Sequence, residues 1–87
     1  MPLYYVYIVE CVDSKGRHQF YTGYTKDLQR RILEHSTGKG AKFCRNKGIR
    51  LRYFETFSEQ GEAMKRELEI KRFPRKKKIE LINTVEI

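Results

Sequence analysis

Aromatic and β-branched residues alternate with other side chains from position 3 to 12 (LYYVYIVECV), a period of two that predicts a β-strand. On that strand Tyr5, Tyr7, Val9 and Cys11 point to one face, and Tyr4, Val6 and Ile8 to the other. Asp13-Ser14-Lys15-Gly16 is a turn cluster in which Gly16 is free to take a positive φ. Positions 19–25 (QFYTGYT) then predict a second strand, antiparallel to the first. Gly23 interrupts this run of bulky residues. Glycine weakens a strand, and it marks a bulge or the close approach of another group.

The period changes after the hairpin. Thr25 or Asp27 can cap a helix running to about position 37, with Gly38 as its stop. Positions 39–48 (KGAKFCRNKG) have no periodicity and read as a basic loop. Positions 49–57 (IRLRYFETF) alternate again and predict a third strand. Ser58, followed by Glu59, Gln60 and Glu62, is a good helix start, because carboxylates favour the positive end of the helix dipole. That helix runs to about position 72, and Pro74 opens a last one over 74–83. The predicted fold is α+β: a three-stranded antiparallel sheet covered by helices, in the order β-β-α-β-α-α. No repeat or linker divides the chain, so residues 1–87 are expected to form one domain.

Composition adds a direction. Nineteen Lys+Arg against eleven Asp+Glu leave a formal charge of +8 on 87 residues. An excess of this size favours a polyanionic partner, since each phosphate neutralised releases counterions. Nucleic acid fits better than an anionic membrane surface. The sequence has no apolar run near the ~18 residues a spanning helix needs, and positions 1–7 enter a strand pattern without the basic start of a signal peptide. A cytoplasmic protein with no membrane partner is therefore expected. The two cysteines, Cys11 and Cys44, form no C-x-x-C pair and read as reduced thiols. A zinc site would have to gather both, with His18 and His35, from spacings that match no known pattern.

Three groups of residues could carry chemistry. Tyr7 and Tyr21 lie on adjacent strands, and a suitable register would bring their hydroxyls together beside Gly23; the plain alternative is a cross-strand aromatic pair. On the first helix, Arg31 and His35 are one turn apart on one flank of the Leu28/Ile32 stripe. A guanidinium there can clamp phosphate, or it can lay its stem over the core. On the second helix Ala63, Met64, Leu68 and Ile70 define an apolar arc, and Glu67 falls inside it. A carboxylate so placed is costly unless it is paired or binds a cation; Arg31 or Lys71 could pair it, or a metal could occupy it. Lys39, Lys42, Arg45 and Lys47, around Phe43, suit a loop that follows a nucleic-acid backbone. Arg75-Lys76-Lys77-Lys78 is a solubilising face or a phosphate contact. No Walker loop, dinucleotide-binding glycine fingerprint or H-E-x-x-H motif occurs.

Tyr5-Val6-Tyr7 and Tyr21-Thr22-Gly23 resemble the paired signatures of the GIY-YIG nuclease superfamily, and the resemblance runs over about positions 4–82. Arg31 falls ten residues after Tyr21, where that family has a functional arginine, and His35 falls four further on, where it often has His or Tyr. Ala63-Met64-Lys65-Arg66-Glu67 fits the frame Ala-Leu-x-x-Glu that carries the family's metal-binding glutamate, and so selects the acid that the helical wheel selects. Tyr5 stands in place of Gly, Val6 in place of Ile and Thr22 in place of Ile, while both phenols remain. Asn83 is the candidate for a polar residue that the family places after the glutamate. Tyr21-Thr22-Gly23-Tyr24-Thr25 and Glu69-Ile70-Lys71-Arg72 are similar to stretches of the small stand-alone bacterial branch. The catalytic domains of the excision-repair incision nuclease and of the nucleases that trim branched DNA are also similar.

The resemblance implies a metal-dependent nuclease that hydrolyses DNA phosphodiesters, selects structure rather than sequence, and serves DNA repair or processing. Glu67 would hold one divalent cation, Mg²⁺ or Mn²⁺, and no other cofactor is implied. Tyr7 or Tyr21 would act as base, Arg31 would offset phosphoryl charge, and His35 and Tyr24 would touch water or phosphate. Tyr24 and Lys71, with the loop cations Lys39, Lys42, Arg45 and Lys47, would contact the nucleic acid, DNA or RNA. A monomer or weak dimer is expected. The alternatives are a non-catalytic nucleic-acid-binding module with this fold, and an interaction domain for an acidic protein.

Overall fold

The first strand of the chain is the middle strand of the sheet. A computed structural model describes residues 3–37 and 48–84. Its elements are β1 (Tyr4–Val12), β2 (His18–Thr25), α1 (Leu28–Ser36), β3 (Gly48–Phe57), α2 (Gln60–Lys71) and α3 (Arg75–Ile82). The order is the predicted one. β1 pairs antiparallel with both neighbours, giving the arrangement β2-β1-β3.

Local signals place most boundaries. Asp13 Oδ1 accepts from the Lys15 and Arg17 backbone N–H groups, each at 2.9 Å, and Gly16 takes φ 76° to close the hairpin. Asp27 caps α1 by accepting from the Arg30 N–H at 3.1 Å. The cap of α2 is Glu59, with no side-chain bond to the helix, rather than the expected Ser58. Pro74 leads into α3 in extended geometry, where its missing N–H costs nothing.

Because β1 is central, both its faces are covered, and Val6 to Val9 are buried in an unbroken run. On one face Val6 and Ile8 pack with Ala63 and Ile70 of α2 and Ile82 of α3. On the other, Tyr7, Val9 and Cys11 pack with Leu28 and Ile32 of α1. The sheet is thus sandwiched, with α1 on one side and α2 and α3 on the other. Burying a side chain such as Ile70 contributes about 1.5–3 kcal/mol.

The alternation of β3 changes phase midway. Ile8 is paired with Tyr53 but Val9 with Leu51, so Arg52 is an extra residue in the ladder. Ile49 and Leu51 consequently join the α1-side cluster, whereas Tyr53 and Phe57 join the other. A uniform reading of positions 49–57 would have put all four on one face. Arg52 turns instead to Glu10 on β1, with a 2.9 Å ion pair.

Two expectations need correction. Met64 and Leu68 are 45% and 53% exposed, so the buried arc of α2 is Ala63 and Ile70, flanked by the half-buried Arg66 and Glu67. Cys11, expected as a reduced thiol, is buried and disulfide-bonded; the chain's other cysteine, Cys44, lies outside the described residues. No helix among the described residues is long and apolar enough to cross a membrane.

Candidate active site

The site begins where β1 and β2 meet. Tyr7 is paired with Gly23, and its ring lies across that glycine; a Cβ on Gly23 would stand 2.5 Å from the phenol oxygen and 2.8 Å from the carbon that bears it. The interruption in the second strand is therefore the space into which the phenol fits. Tyr21, two positions earlier on the same face, is opposite Val9 and packs in the same cluster.

α1 brings two more groups to the phenol. His35 is buried, with Nε2 3.0 Å from the Tyr7 hydroxyl. Its ring is edge-on to Tyr7 at 5.8 Å and to Tyr21 at 5.4 Å between centroids. Arg31, one turn earlier, donates from Nε to the same hydroxyl at 3.4 Å and from Nη1 to Glu34 at 3.2 Å. The predicted flank of Arg31 and His35 thus converges on one oxygen atom.

Burial sets the protonation states. It pushes the Tyr7 phenol above its ordinary value of about 10, and the Arg31 hydrogen bond and charge offset this only in part. The charges of Tyr21 and Glu67 are close enough to raise it further. Burial first, and then the Arg31 charge, hold His35 below the usual histidine range, so it is neutral near pH 7. Its Nδ1 is buried without a hydrogen-bond partner.

Glu67 belongs to α2, on the opposite side of the sheet from α1. Its carboxylate is 15% exposed and lies 3.7 Å from Lys71 Nζ, one turn along the helix. This is a loose ion pair with Lys71, while Arg31 pairs with Glu34. The helix is held to β3 by Arg66, which donates to Glu55 at 2.9 Å from both Nε and Nη2 and also binds Glu69. Tyr53 donates to Glu55 as well. Burial works against the Glu55 carboxylate, but these bonds outweigh it and hold the group ionised; the Tyr53 phenol is pushed up to about 12.

The other predicted contacts divide. Tyr24 packs against the α2-side core, meets Gln60 at 3.4 Å, and lines a groove with Arg30 and Arg31. Lys71 is ion-paired with Glu67, one of the two pairings the sequence allowed for that acid. Lys39, Lys42, Arg45 and Lys47 lie outside the described residues. Asn83 is the exposed C-cap of α3. His35, predicted to touch water or phosphate, is instead sealed behind Tyr7, so it positions that phenol. The Lys26 and Arg30 side of the groove was not foreseen, because Arg30 falls on an outer position of α1 and Lys26 precedes its cap.

Among the described residues no three His, Cys, Asp or Glu side chains come together as a metal cage. Glu67 offers one carboxylate, which suits a cation such as Mg²⁺ that keeps water and takes substrate phosphate oxygens as its other ligands.

The profile of the GIY-YIG catalytic domain matches residues 3–80 of the chain. The chain belongs to the GIY-YIG family. A UPF0213 protein of Staphylococcus saprophyticus is 45% identical over 84 residues, covering 95% of this chain and 98% of that one. Another, from the archaeon Halobacterium salinarum, is 44% identical over 77 residues, covering 87% and 95%. The solution NMR structure of the UPF0213 protein BH0048 from Bacillus halodurans has 42% identity and a TM-score of 0.55, and the match covers 94% of this chain and 84% of that one. Tyr7 and Tyr21 thus lie on one face of the hairpin, with Arg31 and His35 of α1 gathered over Tyr7.

Proposed function

We propose that this GIY-YIG protein is a metal-dependent endonuclease that hydrolyses DNA phosphodiester bonds at a site formed by Tyr7, Tyr21, Arg31, His35 and Glu67. The observation that carries the reading is the single phenol oxygen of Tyr7, held between His35 Nε2 at 3.0 Å and Arg31 Nε at 3.4 Å. Two oriented partners on one buried hydroxyl are more than a sheet-stabilising aromatic pair requires.

In this reading Tyr7 takes a proton from the attacking water. As the water's proton reaches the Tyr7 oxygen, the phenol's own proton passes to Nε2 of neutral His35, 3.0 Å away, so the phenol carries one proton throughout. Arg31 compensates the charge that grows on the phosphoryl oxygens, a role its permanent charge suits. Glu67 would hold the divalent cation, Mg²⁺ or Mn²⁺, which when bound would supply polarisation of the phosphate and stabilisation of the leaving oxygen. The phenol is raised by burial, so positive charge arriving with the substrate complex must lower it for base catalysis to be efficient. Lys71, loosely paired with Glu67 at 3.7 Å, would be released toward phosphate were the carboxylate to take a cation.

A binding module that cuts nothing is the competing reading, and the Lys71–Glu67 ion pair is the observation on its side. Wild type and Glu67→Gln, incubated with single-stranded, duplex and branched DNA under Mg²⁺, Mn²⁺ or chelator, separate the two. Metal-dependent cleavage that is lost in the variant, with binding kept, supports the nuclease. Salt-sensitive binding by both proteins without cleavage by either supports the module.

A further inference from the structure

We propose that the end of the α1-side sheet face that carries Tyr5 and Phe54 is a platform for one unpaired base of the strand being cut. The proposal rests on the nuclease reading above and adds to it a substrate class, DNA that is single-stranded beside the scissile phosphate.

Tyr5 shares the face of Tyr7, two residues earlier on β1, so about 7 Å separates them along the strand. Phe54 stands directly across from Tyr7 on β3, an edge strand. The Tyr5 and Phe54 rings lie 6.0 Å apart between centroids, tilted by 59°, and Phe54 is 49% exposed. Phe54 thus meets Tyr5 on one side and presents about half of its surface to solvent beside the candidate site.

Two grooves meet over the start of α1. One has Tyr5, Phe54 and Thr56 together with Lys26 and Asp27. The other carries Arg30 and Arg31, again with Lys26 and Asp27. They adjoin at Lys26 and Asp27; the second, which also has Tyr24 and Glu34, holds both arginines on the side of the candidate site, and the first holds the Tyr5 and Phe54 rings. Phosphate suits the arginine end. The aromatic groove has neither arginine among its lining residues, and the exposed Phe54 ring there favours a flat apolar partner. Every base has such a face, whereas a base inside a duplex keeps it covered. The occupant that fits is therefore a base already out of the stack, as in a single strand, flap or overhang.

The test is binding in chelator, where no cleavage intervenes. The wild type, Phe54→Ala and Phe54→Tyr are titrated against a blunt duplex and against a single-stranded oligonucleotide carrying a fluorescent base analogue. Phe54→Ala should weaken single-strand binding about tenfold and abolish the fluorescence change, leave duplex affinity unchanged, and be rescued by Phe54→Tyr. If Phe54→Ala does not fold, Phe54→Leu, which keeps bulk without an aromatic face, must show the same loss. Equal effects on both DNAs, or none, overturn the platform while leaving the nuclease reading intact. Failure of the wild type to bind either DNA overturns both.

Discussion

Gly23 faces Tyr7 across the hairpin, and the phenol oxygen occupies the space a side chain would need, 2.5 Å from where a Cβ would be. Gly23→Ala must push that oxygen away from His35 and Arg31. Overpacking of this kind costs about 1–3 kcal/mol, and a shift of about 1 Å in a reacting group can cost about a hundredfold in rate. A denaturant melt and a cleavage assay on the same sample check both. Cleavage at the wild-type rate would remove Tyr7 from the reaction.

Tyr7→Phe keeps the ring and deletes the oxygen. It leaves His35 with neither ring nitrogen partnered, since Nδ1 already has none, at a cost of about 1–3 kcal/mol. Cleavage should fall by about 10²–10⁴-fold, with DNA affinity unchanged. Tyr21→Phe, measured alongside, should have the smaller effect, because both His35 and Arg31 are aimed at Tyr7. The reverse order of severity would make Tyr21 the base.

Stability should fall at both ends of the pH scale. His35 is held below the ordinary histidine value of about 6.5 by burial and then by Arg31. The unfolded chain therefore binds more protons below that value, and this contribution is full above it and lost as pH falls through the folded-state value. Tyr7 is raised by burial, so its contribution is full below about pH 10 and is lost as pH rises through the folded-state value. Thermal melts of wild type and His35→Phe from pH 5 to 7 test the acid limb, which should flatten in the variant.

Lys71→Met should affect cation and nucleic acid in opposite directions. The ammonium lies 3.7 Å from Glu67 and is 45% exposed, so the pair is worth at most about 1 kcal/mol. Its removal should tighten Mg²⁺ or Mn²⁺ binding by up to about fivefold and weaken DNA binding. Isothermal titration with Mn²⁺ alone, then with DNA in chelator, separates the effects. A variant that loses cation affinity would mean that Lys71 orders Glu67 rather than competing for it.

Arg66→Ala removes the link between α2 and β3. Arg66 and Glu55 are 25% and 21% exposed, and the variant leaves Glu55 without its guanidinium. The expected loss is about 1–3 kcal/mol, read by chemical denaturation. Cleavage should also fall in the folded fraction, because Glu67 follows Arg66 on a helix that is no longer pinned.

Two kinds of information were legible in the chain, and a third was not. Periodicity and turn chemistry determined the order β-β-α-β-α-α: alternation of two in 3–12, the Asp13–Gly16 turn, a cap at Thr25 or Asp27 and Pro74 as a helix start are local matters, decided within a few residues. The spacing of Arg31 and His35 fixed their common flank, for one helical turn allows no other arrangement. Tertiary structure alone decided what they meet. The register that sets Tyr7 over Gly23 depends on strand pairing, and the phase change at Arg52, which divides Leu51 from Tyr53, depends on a bulge that no local pattern marks. The exposure of Met64 and Leu68 followed from where α2 sits on the sheet, since a helical wheel ranks faces but does not say which neighbour covers them. For the same reason His35 proved a buried partner of Tyr7 rather than a contact to solvent: its surroundings are supplied by β1 and β2, distant in the sequence and adjacent only in the fold.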